Sequence, residues 1–180
     1  MTSRTPDPRR LDVAAAATDA LRLDGQWPLA GFERLHDGAA QDGVVQWSVR
    51  GEQRAVAGAK AEIWLHLKVQ ARVWRDCQRC LQPVALDLDL ARALRFVADE
   101  ATAEALDAES EDDVLALPRH LDLHDLVEDE LLLALPLVPM HGKCPQALPT
   151  SSGFVTGDAP ADPPAHPFAA LAGLKGQHKA

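Results

Sequence analysis

The sequence predicts an α+β protein: a curved, mainly antiparallel sheet, with barrel-like closure left open, packed by one helix in the C-terminal half and followed by a flexible proline-rich tail. Three observations carry this. Residues 62–74 alternate apolar and polar without a break, residues 84–90 resume the alternation after a turn, and residues 122–135 change to helical spacing behind an aspartate. A two-residue period belongs to a half-buried strand and a 3.6-residue period to an amphipathic helix.

Residues 1–20 read as a loose N-terminal arm or a short helix, because Pro6, Pro8, several arginines and the alanine run at 14–17 show no sustained period. Arg4, Arg9 and Arg10 before that run resemble a secretory leader, but Asp12 and Asp19 bracket it, which argues against export. A single α+β domain is expected over 21–144. Gly25, Pro28, Gly31 and Gly38 interleave with Trp27, Leu29, Phe32 and Leu35, the pattern of a strand edge followed by one or two helical turns. Residues 44–50 place Val45, Trp47 and Val49 on one strand face.

In the long strand Ile63, Leu65, Leu67, Val69, Ala71 and Val73 face the core. Val84, Leu86, Leu88 and Leu90 then return antiparallel, which makes 77–83 a hairpin tip. Residues 99–113 hold eight acidic side chains with no apolar period and read as a flexible, solvated loop. Residues 114–117 suit a short further strand. Asp122 offers a side-chain oxygen to the free amides of a helix start, Leu123, Leu126, Val127, Leu131, Ala134 and Leu135 form that helix's core face, and Pro136 stops it. The tail over 145–180 is rich in proline and ends in an apolar set of Phe168, Leu171 and Leu174.

Composition excludes several classes. With 47% hydrophobic and 25% charged residues the chain is globular in character. Its longest apolar stretch, 131–140, is broken by Pro136 and Pro139 and falls far short of the roughly 20 residues a bilayer span needs. Three cysteines, two of them close together, do not make a disulfide framework, so a reducing, cytoplasmic setting is expected. The net charge of −9 is unevenly spread: residues 81–135 carry 3 basic and 15 acidic side chains, whereas residues 1–80 carry 12 and 10. RNA affinity comes largely from cations that displace counterions, so unassisted RNA binding is disfavoured for the chain and left open only for the first 80 residues.

The sharpest constellation is Cys77-Gln-Arg-Cys80 at the hairpin tip with His141-Gly-Lys-Cys144 about sixty residues later. Two ligands three apart on a tight turn supply one edge of a tetrahedron, and two such turns close a zinc site. Arg79 and Lys143 would offset the thiolate charge. The competing readings are turn cysteines beside a surface histidine, or a redox Cys-x-x-Cys. The redox reading lacks the helix N-terminus that lowers a catalytic thiol pKa, since strands flank the motif.

The outer face of the long strand interleaves Trp64, His66, Lys68, Arg72 and Trp74 and continues to Arg75 and Arg79. Lys68, Arg72, Arg75 and Arg79 are candidate RNA contacts. At about 3.3 Å per residue the two tryptophans stand roughly 33 Å apart and cannot serve one stack, so packing against a second layer competes with this reading. The acidic segment 99–113 together with Glu128, Asp129 and Glu130 suits docking of a basic partner, against the alternative of a solvated face with favourable helix-start electrostatics. His120 and His124 complete no ligand set and are expected on the solvent side. No phosphate loop, nucleophile elbow or His-Glu-x-x-His motif is present, so an enzyme is not expected.

Three blocks add a family resemblance: Cys77-Gln-Arg-Cys80-Leu-Gln-Pro83, then Leu123-His-Asp-Leu-Val-Glu-Asp-Glu-Leu-Leu-Leu-Ala-Leu-Pro136-Leu-Val-Pro139-Met-His141, then His166-Pro-Phe168-Ala-Ala-Leu-Ala-Gly-Leu-Lys175. In order and spacing this series resembles the bacterial YceD family, the large ribosomal RNA subunit accumulation proteins. The resemblance implies a non-enzymatic role in synthesis, processing or stability of 23S rRNA. Relatives carry further cysteines in the segment matching 141–144, where this chain has only Cys144. If one zinc ion is bound, His141 is then its necessary fourth ligand. Large-subunit ribosomal proteins, assembly factors and ribosomal RNA are the partners this reading suggests, with Glu128, Asp129, Glu130, Phe168, Leu171 and Leu174 as protein-docking residues and neither membrane nor small-molecule substrate. The alternative is a zinc-stabilised adaptor unrelated to ribosomes.

Overall fold

The computed structural model describes residues 6–35 and 42–145. Its framework is a five-stranded sheet in the order β1-β2-β3-β4-β5, formed by Arg22–Pro28, Val44–Arg54, Glu62–Asp76, Pro83–Val97 and Asp113–Ala116. The first four strands pair antiparallel and β5 lies parallel to β4. Because β1 and β5 are both edges, the sheet is open and no barrel closes.

The alternation of β3 and β4 sets their shared register, which runs from Ile63 opposite Phe96 to Asp76 opposite Pro83. A one-residue slip would turn every apolar side chain to solvent, so this pairing is strongly specified. On the inner face Val45, Val49, Leu65, Leu67, Val69, Val73, Leu88, Leu90, Leu94 and Phe96 are buried. The helix α3, Leu123–Ala134, closes this face with Leu123, Val127 and Leu131, all 0% exposed. Asp122 caps α3 by accepting from the amides of His124 and Asp125 at 2.9 and 3.3 Å.

Residues 8–18 are packed against the domain, which corrects the expectation of a loose arm there. A short helix α1, Val13–Thr18, is capped by Asp12 and buries Val13, Ala16 and Ala17. Leu11 pairs with Leu121 through two backbone hydrogen bonds of 2.9 and 2.8 Å. Alanines bring the α1 backbone close to β2: a Cβ on Gly51 would collide with the Ala16 carbonyl, so glycine is what lets the two backbones meet.

The acidic segment is also more ordered than expected. Residues 99–113 contain a helix α2, Glu100–Asp107, rather than a continuous loop. Asp99 accepts from Thr102 N at 2.9 Å, Glu100 sits at the positive end of the dipole, and three alanines favour the helix. The helix supplies the crossover that a parallel β4–β5 pair requires. Val114 and Ala103, 5% and 3% exposed, are buried apart from the main cluster.

His124 is buried rather than solvent-facing. Its ring stacks on Phe32, with centroids 4.1 Å apart and an interplanar angle of 5°, and meets Trp27 edge-on at 5.1 Å. Trp27 in turn stacks on Trp47 at 4.5 Å. Burial, more than the nearby charge of Arg9, lowers the pKa of His124 below its ordinary value.

Candidate metal centre

The β3–β4 hairpin carries the first half of the centre. Cys77 N donates to Gln82 O at 2.9 Å and Leu81 N to Cys77 O at 2.8 Å, which curls residues 77–82 into a tight tip. Leu81 sits there at φ 57°, a left-handed conformation that leucine adopts at a cost of about 1–2 kcal/mol. The second half leaves α3 through Pro136 and docks on this tip by one backbone bond, Gln78 N to Pro139 O at 2.9 Å.

Together the halves bring Cys77, Cys80, His141 and Cys144 into one cluster whose donor atoms all lie within 4.8 Å of one another. Cys77 Sγ is 4.0 Å from Cys144 Sγ, and Cys80 Sγ is 3.5 Å from His141 Nδ1. Zinc bonds of about 2.3 Å to sulfur and 2.0–2.1 Å to nitrogen imply tetrahedron edges of roughly 3.8 and 3.5 Å, so donor type, number and spacing all fit that ion. His141 Nε2 lies 3.1 Å from Pro83 O, an acceptor that favours presentation of Nδ1 to the centre.

Burial pushes the Cys77 thiol up, but backbone N–H groups of His141, Arg79 and Cys80 outweigh it and bring the thiol down to about 5. Burial raises Cys80, and the neighbouring Cys144 and Cys77 add to the rise. Arg79 Nε donates to Cys144 Sγ at 3.1 Å and its Nη2 to His141 O at 2.7 Å, so a cation from the first half ties down the second. Lys143 is exposed.

The other residues singled out in the sequence lie elsewhere. Lys68 is exposed on the outer sheet face. Arg72 forms two bonds to Asp87, at 2.5 and 3.0 Å. Arg75 is only 8% exposed and donates to Trp74 O, because its odd position puts it on the same side of β3 as Val73. Trp64, 4% exposed, is covered by the Arg54 guanidinium 4.0 Å above its ring, and its Nε1 donates to Glu62.

Of the three acidic residues at 128–130 in α3, two face inward. Glu128 accepts from Arg34 N at 2.7 Å and Arg34 Nε at 2.8 Å, and Glu130 accepts from Arg92 Nε at 2.7 Å. Both carboxylates are buried and fasten α3 to the 33–35 turn and to β4, whereas Asp129 is half-exposed and shares Arg34. Phe168, Leu171 and Leu174 lie outside the described residues. Sequence reasoning missed Arg34 and Arg92, whose partners are remote in the chain. It also missed Glu52, which hydrogen bonds from Arg54 first and His66 second hold at a pKa of about 2.

An open sheet with a helix on its inner face, its hairpin tip and helix exit meeting in a three-cysteine, one-histidine cluster, defines a small α+β knuckle protein. The family described as "Large ribosomal RNA subunit accumulation protein YceD" matches residues 65–175, which include both halves of the cluster, and the chain belongs to that family. It is similar to the Haemophilus influenzae protein named large ribosomal RNA subunit accumulation protein YceD, with 38% identity over 110 residues. That similarity covers 60% of this chain and 63% of the relative, so the chain spans less than two thirds of the relative's length. No solved structure matches the chain significantly. Among the described residues no helix is long and apolar enough to cross a membrane.

Proposed function

We propose that the protein is a non-enzymatic factor in large ribosomal subunit biogenesis that supports the synthesis, processing or stability of 23S rRNA in the cytoplasm. The family match across residues 65–175 carries this reading, since the family's name describes accumulation of an RNA and no reaction. The role of Cys77, Cys80, His141 and Cys144 in it is to hold one zinc ion. Four protein donors leave no open coordination position, which is the mark of a structural rather than a catalytic zinc. Large-subunit ribosomal proteins or assembly factors are the protein partners. Asp129, the exposed carboxylates of 99–113 and the Phe168, Leu171 and Leu174 segment are the surfaces offered to them, with Glu128 and Glu130 holding α3 in place.

Deleting the gene and measuring 23S against 16S rRNA, together with subunit profiles, tests this role. A lowered ratio and a deficit of large subunits are expected, and an unchanged ratio with normal profiles would contradict it.

A second reading, a zinc-stabilised adaptor unrelated to ribosomes, draws on the apolar side chains beside the cluster. Leu81 is 73% exposed, Leu137 is fully exposed, and Val138 and Met140 are more than half exposed. Apolar surface gathered at one place is typical of a protein-binding site. Affinity capture separates the two: large-subunit proteins and precursor RNA are expected from the first, and neither from the second.

A further inference from the structure

Residues directly opposite each other on paired strands project from the same side of a sheet. The register sets Arg22 of β1 opposite Arg50 of β2, and Arg50 opposite His66 of β3, one basic row across three strands. Lys68 follows two residues on, opposite Ser48. Like charges placed opposite one another are unfavourable. Glu52 answers Arg50 and His66 at 2.9 and 2.7 Å, but it also serves Arg54. Among the described residues the side chains of Arg22 and Lys68 have no hydrogen bond or ion pair.

Arg22, Arg50, His66 and Lys68 surround a hollow of about 510 Å³, in which Asp24 is the one acidic wall. The hollow adjoins a second, of about 660 Å³, that shares Asp24, Ser48 and Lys68 and adds the side-chain amides of Gln26 and Gln46, with Gln70 donating to the Asp89 carboxylate at 3.0 Å on its far side. Around the first hollow three permanent cations thus meet one carboxylate, in a chain whose net charge is −9.

We propose that Arg22, Arg50 and Lys68 form a phosphodiester subsite for single-stranded RNA, with the Gln26 and Gln46 amides placed to meet base edges. Guanidinium groups match phosphate oxygens in pairs, and an ammonium adds a point charge. Amide side chains donate and accept, as exposed base edges require. An open run of strands lined by polar side chains suits an extended strand rather than a duplex. The proposal rests on the RNA-related role argued above and moves RNA contact from the hairpin tip, where Arg75 and Arg79 are engaged, to the middle of β3 around Lys68.

The test uses the full chain and a fluorescein-labelled single-stranded RNA of roughly 12 nucleotides, read by anisotropy over a range of salt. The double variant Arg22→Gln/Lys68→Gln is expected to bind about tenfold more weakly. Its slope of log affinity against log salt should be shallower by about 1.4, the loss of two phosphate contacts. The charge-matched control Lys60→Gln/Arg119→Gln should stay within about twofold of the parent and keep its slope. Circular dichroism and melting check that both variants fold. No RNA binding by the parent, parental binding by the first variant, or an equal fall in the control would each overturn the subsite. Failure of the ribosomal role is separable. A deletion strain with a normal 23S to 16S ratio, alongside impaired binding by the variant, would remove that role and leave the subsite standing. A low ratio restored in full by a variant that binds RNA like the parent would do the reverse.

Discussion

His141 Nδ1 lies 3.5 Å from Cys80 Sγ although 61 positions separate the two residues. Nothing local to either brings them together. The hairpin tip places one and the turn after α3 places the other, so the cluster reports on the docking of two parts of the fold.

If that pair helps hold zinc, protein purified without a histidine tag will contain about one equivalent of the metal. Cys144→Ser and His141→Ala should each lose most of it and melt at lower temperature, and a chelator should lower the parent's melting temperature to match. His141→Cys keeps four donors and should retain the metal. Metal content by mass spectrometry checks all four. Less than about a tenth of an equivalent in the parent would end the proposal.

The buried carboxylate of Glu128 should matter to stability. Glu128→Ala removes two hydrogen bonds to Arg34 and is expected to cost about 1.5–3 kcal/mol in denaturant unfolding, while Glu128→Gln, which keeps one acceptor, should cost less. Asp129→Ala, on the exposed side of the same arginine, should change stability by less than about 1 kcal/mol.

His124 predicts a pH dependence. Its pKa is lowered in the fold by burial, so as pH falls below the ordinary 6.5 the unfolded chain takes up a proton before the native one. Its contribution is therefore whole above about 6.5 and lost progressively as pH drops toward the lower native pKa. Glu52, held at about 2, stays ionised throughout. Unfolding free energy measured between pH 5 and 7, a window chosen from the usual histidine range, should slope downward in acid, and His124→Phe should flatten that slope. A parent profile already flat there would contradict this.

Gly51→Ala should loosen the N-terminal segment. The added methyl meets the Ala16 carbonyl and must push α1 away from β2, which overpacking costs of this kind put at about 1–3 kcal/mol. Hydrogen exchange should show lost protection at the amides of Leu11 and Ala16 while the β3–β4 ladder keeps its own.

The sequence made β3 legible along its length and β4 over 84–90 because the alternation is unbroken there, and α3 because Asp122 marks its start and Pro136 its end; the rest of β4 stayed hidden because Arg92 interrupts its apolar face. Both halves of the metal cluster were legible from ligand spacing, since each half is local. What stayed hidden depends on contacts between distant segments. Glu128 and Glu130 look like surface acids until Arg34 and Arg92 are placed against them. His124 looks like a solvent-side residue until Phe32 stacks on it. The helix α2 was obscured by charge density, although its Asp99 cap and its alanines were in plain view. Arg75 is the instructive case: its strand parity with Val73 already pointed inward, but its charge suggested the surface.

The Leu11–Leu121 bridge and the Cys80–His141 contact have a bearing on birth of the protein at the ribosome. Synthesis proceeds from the N-terminus, so β3 and β4 can pair as soon as their shared turn has emerged. Leu11 must wait for Leu121, and the hairpin cysteines must wait for His141 and Cys144. A nascent chain halted before Leu121 would display a made ribbon with both of its fastenings undone, and a chaperone or protease would meet it in that half-latched state.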